Sequence, residues 1–409
     1  MALFSLAFRR IFEFGSLTVV DARGTTHEFG DGTGTPVAVR LHDRALHWKL
    51  LVNPFLYFGE GYMDASITFE AGELHDFLDL VGHNAATIET KPAGIIIRWL
   101  TALRRRLQQH NPVGRARANV AHHYDLNGAL YDLFLDKDRQ YSSAYFVSGN
   151  DTLEVAQDNK KRHLAAKLLL KPGQKVLDIG SGWGGLGLYL TQAADVDVTG
   201  VTLSEEQFKV SNQRARDRKL DKRARFHLRD YRDETGTYDR IVSVGMFEHV
   251  GAKHYREYFD KVRDLLAEDG VFVLHSIGRM EPPGTTNAWL RKYIFPGGYS
   301  PALSETFAAI ERTGLWVTDV EILRLHYANT LKEWNRRFQA NRDKVASLYD
   351  ERFCRMWEFY LQCCEMAFRY LNQVVFQLQI AKNQDTVPTT RDYITDWERA
   401  DAGAGNLAR

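Results

Sequence analysis

Two rhythms of apolar and polar residues divide the chain. Over the first seventy residues, alternating runs such as Leu17–Val20, Val37–Leu41 and Ser66–Phe69 are separated by glycine turns and predict a small sheet. An aromatic-rich helix over residues 2–14 precedes this sheet, and a helix over Leu74–Val81 follows it. From about residue 160 the apolar runs are Lys175–Ile179, Val196–Thr202, Ala224–Leu228, Arg240–Val244, Gly270–Ser276 and Trp316–Leu323, with helical spacing between most of them. That alternation predicts an α/β fold, a doubly wound and largely parallel sheet behind a smaller α+β domain. A proline- and glycine-rich interruption over residues 278–299 reads as a lid or substrate loop, and the tail Thr330–Lys382 reads as long helices.

At 409 residues the chain has room for two domains, with a boundary expected near residue 110: residues 1–110 form the small domain with a linker, and 111–409 the larger one. Fifty-three basic residues against fifty-two acidic ones give no argument for a nucleic-acid partner. The three cysteines, Cys354, Cys363 and Cys364, suit neither a disulfide framework nor a zinc site, which points to a reducing cytoplasm and no metal. No apolar run is long enough to span a bilayer and no leader pattern opens the chain, so the protein is expected to be neither exported nor integral. Contact with a membrane surface remains open. Residues 2–14 and the basic stretch Ile95–Arg106 are amphipathic candidates for it, with packing on the protein itself as the alternative.

The chemistry is concentrated at Val176–Gly185, where an apolar strand ends in Asp178 and then in Gly180, Gly182 and Gly184. Closely spaced glycines permit positive φ and bring backbone N–H groups up to a ligand, so a nucleoside-like guest is expected. A dinucleotide fold would place an acid at the end of the next strand, and Gly200–Leu203 carries none. The turn instead resembles the first motif of S-adenosylmethionine-dependent methyltransferases. Asp230 and Tyr231 stand where that class holds adenine between polar and aromatic groups. The polar aromatics of residues 118–147 read as a cap over the ligand.

Several segments together sharpen the resemblance: His123–Leu126, Tyr141–Phe146, Gly180–Gly184, Thr202–Gln207, Met246–Gly251, Leu274–Gly278 and Lys292–Gly298. In their order and spacing the chain resembles the cyclopropane-fatty-acyl-phospholipid synthases, related to the mycolic acid cyclopropane synthases, over roughly residues 118–380. The resemblance implies a Rossmann-like methyltransferase domain with helical lid elements. It also implies methyl transfer to a cis double bond of a phospholipid acyl chain, a carbocation, and ring closure on loss of a proton to bound bicarbonate. The alternative outcome is methylation or methylenation without ring closure.

The same resemblance implies the site residues. Glu248, His275, Tyr327, Ser143 and Ile277 match the bicarbonate pocket: Glu248 accepts from the anion's hydroxyl, His275 and Tyr327 donate, and Ile277 contributes backbone. Glu248 and His275 are expected just past the ends of their strands. Tyr141, Asp178, Gly180, Gly182, Thr202, Leu203, Gln207, Asp230 and Tyr231 match the cofactor site, Thr202 and Gln207 replacing the generic ribose acid. Tyr124, Tyr145, Phe247 and Tyr299 are candidate rings for the cationic centre, with core packing as their alternative. Ser143 departs from the family, which commonly carries cysteine there, and leaves the product open. The implied partner is membrane phospholipid, met transiently at the inner face of the membrane; the sequence does not fix the oligomeric state, and a homodimer is one option. The small domain would then serve lipid association or dimerisation.

Overall fold

The computed structural model describes residues 2–89 and 128–407. The basic stretch Ile95–Arg106, His123 and Tyr124 lie outside the described residues. Two compact units divide the chain: Met1–Gln108 with Gly284–Pro296 and Ala328–Gln373, and Gln109–Pro283 with Gly297–Tyr327 and Val374–Arg409.

In the first unit, helix α1 (Ala2–Ile11) precedes a four-stranded sheet ordered β2-β1-β3-β4, from β1 (Ser16–Val20), β2 (Thr26–Phe29), β3 (Pro36–Leu41) and β4 (Ile67–Ala71). Strand β3 buries every second residue, Val37, Val39 and Leu41, as a one-faced strand should. Phe8 of α1 meets Phe12 and Phe29 at ring distances of 5.5 and 5.6 Å, so the N-terminal helix packs on its own sheet. Helices α2 (Leu46–Val52) and α3 (Pro54–Met63) are inserted before β4. Between them Asn53 Oδ1 caps α3 by accepting from the Leu56 N–H at 3.3 Å, with Pro54 in the first turn. Helix α4 (Leu74–Glu89) and a later helix, Glu351–Tyr370, pack against one another. Residues 284–296, expected in a substrate lid, belong to this unit. Trp289 is buried edge-on to Phe359 at 4.7 Å, and its indole N–H donates to Met63 Sδ.

The second unit contains α5 (Gly128–Phe134), α6 (Leu153–Leu168), β5 (Lys175–Ile179), α7 (Gly185–Ala194), β6 (Asp197–Thr202), α8 (Glu205–Asp217), β7 (Ala224–Leu228) and β8 (Tyr238–Val244). It continues with α9 (Tyr255–Leu265), β9 (Leu266–Arg279), α10 (Leu303–Ile310), β10 (Trp316–Ile322), β11 (Gln373–Ala381) and α11 (Asp392–Leu407). The sheet order is β10-β11-β9-β8-β5-β6-β7, with β9-β8-β5-β6-β7 parallel and β10 antiparallel to β11. Neighbouring residues of each central strand enter different cores. Leu177, Ile241 and Phe272 pack with Phe259 and Val262 of α9, while Val176, Val242 and Val273 pack with Leu164 of α6 and Leu190 of α7. A strand buried on both faces becomes a continuous apolar run, the signal that made these strands legible.

Two expectations change. Residues 373–381 are not helical: Val374 to Ala381 is buried throughout as β11, inserted between β10 and β9. Strand β9 runs for 14 residues, so His275 lies within it rather than beyond its end.

Candidate active site

The chain moves from β5 outward through β6 and β7, then returns to the other side of β5 with β8. That reversal opens a crevice at the carboxyl ends of β5 and β8. A cleft of about 1330 Å³, its open mouth included, occupies this place. Its lining includes Tyr141, Asp178, Gly180, Gly182, Thr202, Leu203, Gln207, Asp230 and Tyr231, all the residues expected at the cofactor.

The glycine turn is built for close approach rather than for free donors. Gly180 has φ +81°, and a Cβ there would lie 2.8 Å from Met246 Cβ. Gly184 has φ +80°, and its Cβ would lie 2.7 Å from Ser211 Cβ. The N–H groups of Gly180 and Ser181 both donate to the Val201 carbonyl at 3.0 Å. The expectation of bare backbone donors is therefore corrected at these two positions, because the turn closes on β6 itself.

On the far wall Thr202 Oγ1 donates to Gln207 Oε1 at 2.7 Å, and Ser204 Oγ caps α8 by accepting from the Gln207 N–H at 3.3 Å. Asp230 is ion-paired to Arg232 at 2.7 Å and also accepts its backbone N–H at 3.0 Å, which fixes the turn that carries Tyr231. Asp178 Oδ2 is buried without a partner among the described residues, and burial pushes the carboxyl up to about 7. The cleft also takes residues that sequence reasoning missed: Gln140 and Ser142 beside Tyr141, and His249. Burial holds the His249 imidazole down to about 4, so it is neutral.

The five residues matched to bicarbonate do not line this cleft. Glu248 sits in the short turn Phe247–His249 after β8, and its Oε1 accepts the Ile277 N–H from β9 at 2.7 Å. Ile277 thus directs its N–H to the carboxylate. Glu248 Oε2 is buried with no partner among the described residues, and burial pushes this carboxyl up to about 7. His275 is buried, and burial with nearby cations keeps it neutral. The Gln377 side-chain amide lies 3.1 Å from His275 Nδ1 and fixes the plane of the ring. Ser143 is buried and its Oγ donates to the Ala144 carbonyl at 3.1 Å. Tyr327 is buried in the first turn of the helix His326–Ala340.

Of the candidate rings, Phe247 is wholly buried and stacks on Tyr255 at 4.3 Å, and Tyr299 donates to Glu305 Oε2 at 2.6 Å, both as packing. Tyr145 lies between the rings of His163 and His326, at 4.4 and 4.7 Å.

The family profile described as mycolic acid cyclopropane synthetase matches residues 112–378. The chain belongs to this family. It is 39% identical over 345 residues to the cyclopropane-fatty-acyl-phospholipid synthase of Escherichia coli K12, covering 83% of this chain and 88% of that protein. A probable fatty acid methyltransferase of Pseudomonas putida is 38% identical over 284 residues, 67% of this chain and 72% of the relative. Among solved structures, mycolic acid cyclopropane synthase CmaA1 complexed with SAH and CTAB superposes with a TM-score of 0.62 at 33% identity, covering 66% of this chain and 99% of that one.

Proposed function

We propose that this family member transfers a methylene from S-adenosylmethionine across a cis double bond of phospholipid acyl chains, forming a cyclopropane ring. The observation that carries this reading is the identity to the phospholipid-acting relative, which extends over 83% of the chain. S-adenosylmethionine supplies an electrophilic methyl when bound. The cleft suits it: Gly182 of the turn faces open space, Thr202 and Gln207 offer neutral polar groups at the end of β6, and Tyr231 offers an aromatic wall.

Bicarbonate is the proposed base, and the residues present fit an anion that carries a hydroxyl. Glu248 Oε2 is an orphaned buried acceptor, and His275 is a buried neutral imidazole with one N–H to donate. Held there beside Tyr327, with Ser143 and Ile277 shaping the pocket while their donors bond Ala144 and Glu248, the ion would supply a proton acceptor where an exposed carboxylate could not reach. Glu248 fixes Ile277 directly, while burial keeps His275 from competing as a cation.

No helix among the described residues is long and apolar enough to cross a membrane. The proposed contact is peripheral, at the inner face, through the first unit. It is supported by the elbow of α2 and α3, where Trp48, Val52 and Phe55 are 66%, 79% and 48% exposed within eight residues. Exposed aromatic and aliphatic side chains on short helices are the means by which peripheral proteins enter the headgroup layer. A homodimer remains part of the proposal.

Expression of the chain in cells that contain unsaturated phospholipid, followed by proton NMR of the released acyl chains, tests the reading. Upfield cyclopropane signals are expected, and chains that gain no carbon overturn it. A second reading is alkene methylation or methylenation without ring closure. Ser143 in place of cysteine and the probable fatty acid methyltransferase relative favour it, and vinylidene or branched-methyl signals would establish it.

A further inference from the structure

Helix α6 buries residues that a helix of its composition should expose. Twelve of its 16 residues are buried, among them Gln157, Lys160, Lys161, His163 and Lys167. An ammonium taken out of water is costly unless it is paired. Most of these groups are paired with acids: Lys161 with Asp138 at 3.0 Å, Lys167 with Asp319 and Glu321, and His163 with Glu321 and Glu398 at 2.8 and 2.7 Å.

Lys160 also feels acids, the charges of Asp136, Asp138 and Asp178, but its hydrogen bonds go elsewhere. Its Nζ donates to two neutral oxygens, Gln140 Oε1 and Ser142 Oγ, each at 2.7 Å. One turn earlier on the same helix face, Gln157 Nε2 donates to the main-chain carbonyls of the same two residues, at 3.3 Å to Gln140 and 3.0 Å to Ser142. Four hydrogen bonds therefore converge on the residues that flank Tyr141, and Gln140, Tyr141 and Ser142 all line the cleft. Lys160 itself is 1% exposed and does not line the cleft. It acts through the strip it holds.

We infer that Lys160 and Gln157 are positioning residues for the cofactor, fastening the Gln140–Ser142 wall so that Tyr141 meets the ligand preformed. The inference rests on the reading that the cleft takes S-adenosylmethionine. A preformed wall lowers the ordering cost of binding, so its loss falls on cofactor affinity more than on the chemical step.

Calorimetric titration of the full chain with S-adenosylhomocysteine tests this, together with the KM for S-adenosylmethionine. Lys160→Met keeps the aliphatic stem and removes both donors. It should weaken binding and raise KM about tenfold or more, the effect of two lost hydrogen bonds, with turnover at saturating cofactor changed by less than about threefold. Ser142→Ala should show part of the same loss, and the double variant should bind no more weakly than Lys160→Met alone, because both remove one contact. Unchanged affinity in Lys160→Met, or losses that add fully, would overturn the inference. Should Lys160→Met not fold, Ser142→Ala decides alone, and affinity equal to wild type overturns it. Wild-type protein that binds no S-adenosylhomocysteine overturns the underlying reading as well, and that outcome is distinct from equal binding by wild type and variant.

Discussion

Glu248 accepts the Ile277 N–H on one carboxylate oxygen at 2.7 Å and keeps its other oxygen buried without a partner among the described residues. A half-satisfied acid in a dry place is expensive, and functional sites are where such groups persist. Glu248→Gln should retain the bond to Ile277 through its amide oxygen and replace the orphaned acceptor with a donor. Turnover is expected to fall about 10²-fold or more while S-adenosylhomocysteine binding stays within about twofold. Single-turnover assays beside calorimetry check this, and wild-type turnover in the variant would remove Glu248 from the chemistry.

The same residue gives stability a pH dependence. Burial raises its pKa from an ordinary 4.5 to about 7, so the folded chain holds a proton that the unfolded chain has released in that window. The stability it contributes is therefore fully present below about pH 4.5, declines as the pH rises to about 7, and stays lost above. Asp178 acts with the same sign. Lys160, lowered to about 7, acts oppositely above that pH. Urea midpoints at pH 5 and pH 8 should show Glu248→Gln gaining on wild type at the higher pH, by up to about 3 kcal/mol.

Ser143 is 1% exposed and spends its hydroxyl on the adjacent Ala144 carbonyl. Cysteine is close in size and a weaker donor, so Ser143→Cys should cost less than about 1 kcal/mol of stability. Cyclopropane formation should be preserved or raised. Product NMR with purified protein and unsaturated vesicles checks it, and a tenfold loss of ring product would show that the pocket uses the hydroxyl.

The α2–α3 elbow should govern vesicle binding. Trp48→Ser, Val52→Ser and Phe55→Ser together remove three exposed apolar side chains and leave the buried Leu46, Leu50 and Phe58 in place. Co-sedimentation with anionic phospholipid vesicles is expected to fall about tenfold or more, with folding unchanged by circular dichroism. Truncation of α1 should have the smaller effect, since Phe8 and Phe12 already pack within the unit.

How far the sequence could be read follows from what each element buries. Strands β5 to β8 were legible because double-sided burial makes them short apolar runs between turns. Strand β11 was not: Phe376 and Ile380 sit four apart, as a helix would place them, and the buried Gln377 and Gln379 blur the apolar run. Helix α6 hides for a related reason, since ion pairs and hydrogen bonds bury its polar residues alongside Leu164 and Leu168 and blur the apolar stripe. Among the site residues, the Gly180 turn is readable from local physics. Glu248 and His275 came from resemblance, because nothing in their spacing reveals that the turn after β8 meets the later part of β9. The Lys160 clamp left no signal, since residues 140 and 160 meet only in the fold.

The position of β11 has a consequence for biosynthesis. It begins at residue 373 of 409 yet lies between β10 and β9, so the sheet cannot close in the order in which it is translated. Until that stretch is made, the edges of β9 and β10 that it will pair with are unpaired templates for another chain. A chain that stops short of residue 373 would therefore lose more than a tail: it would lack the strand that joins the parallel part of the sheet to β10.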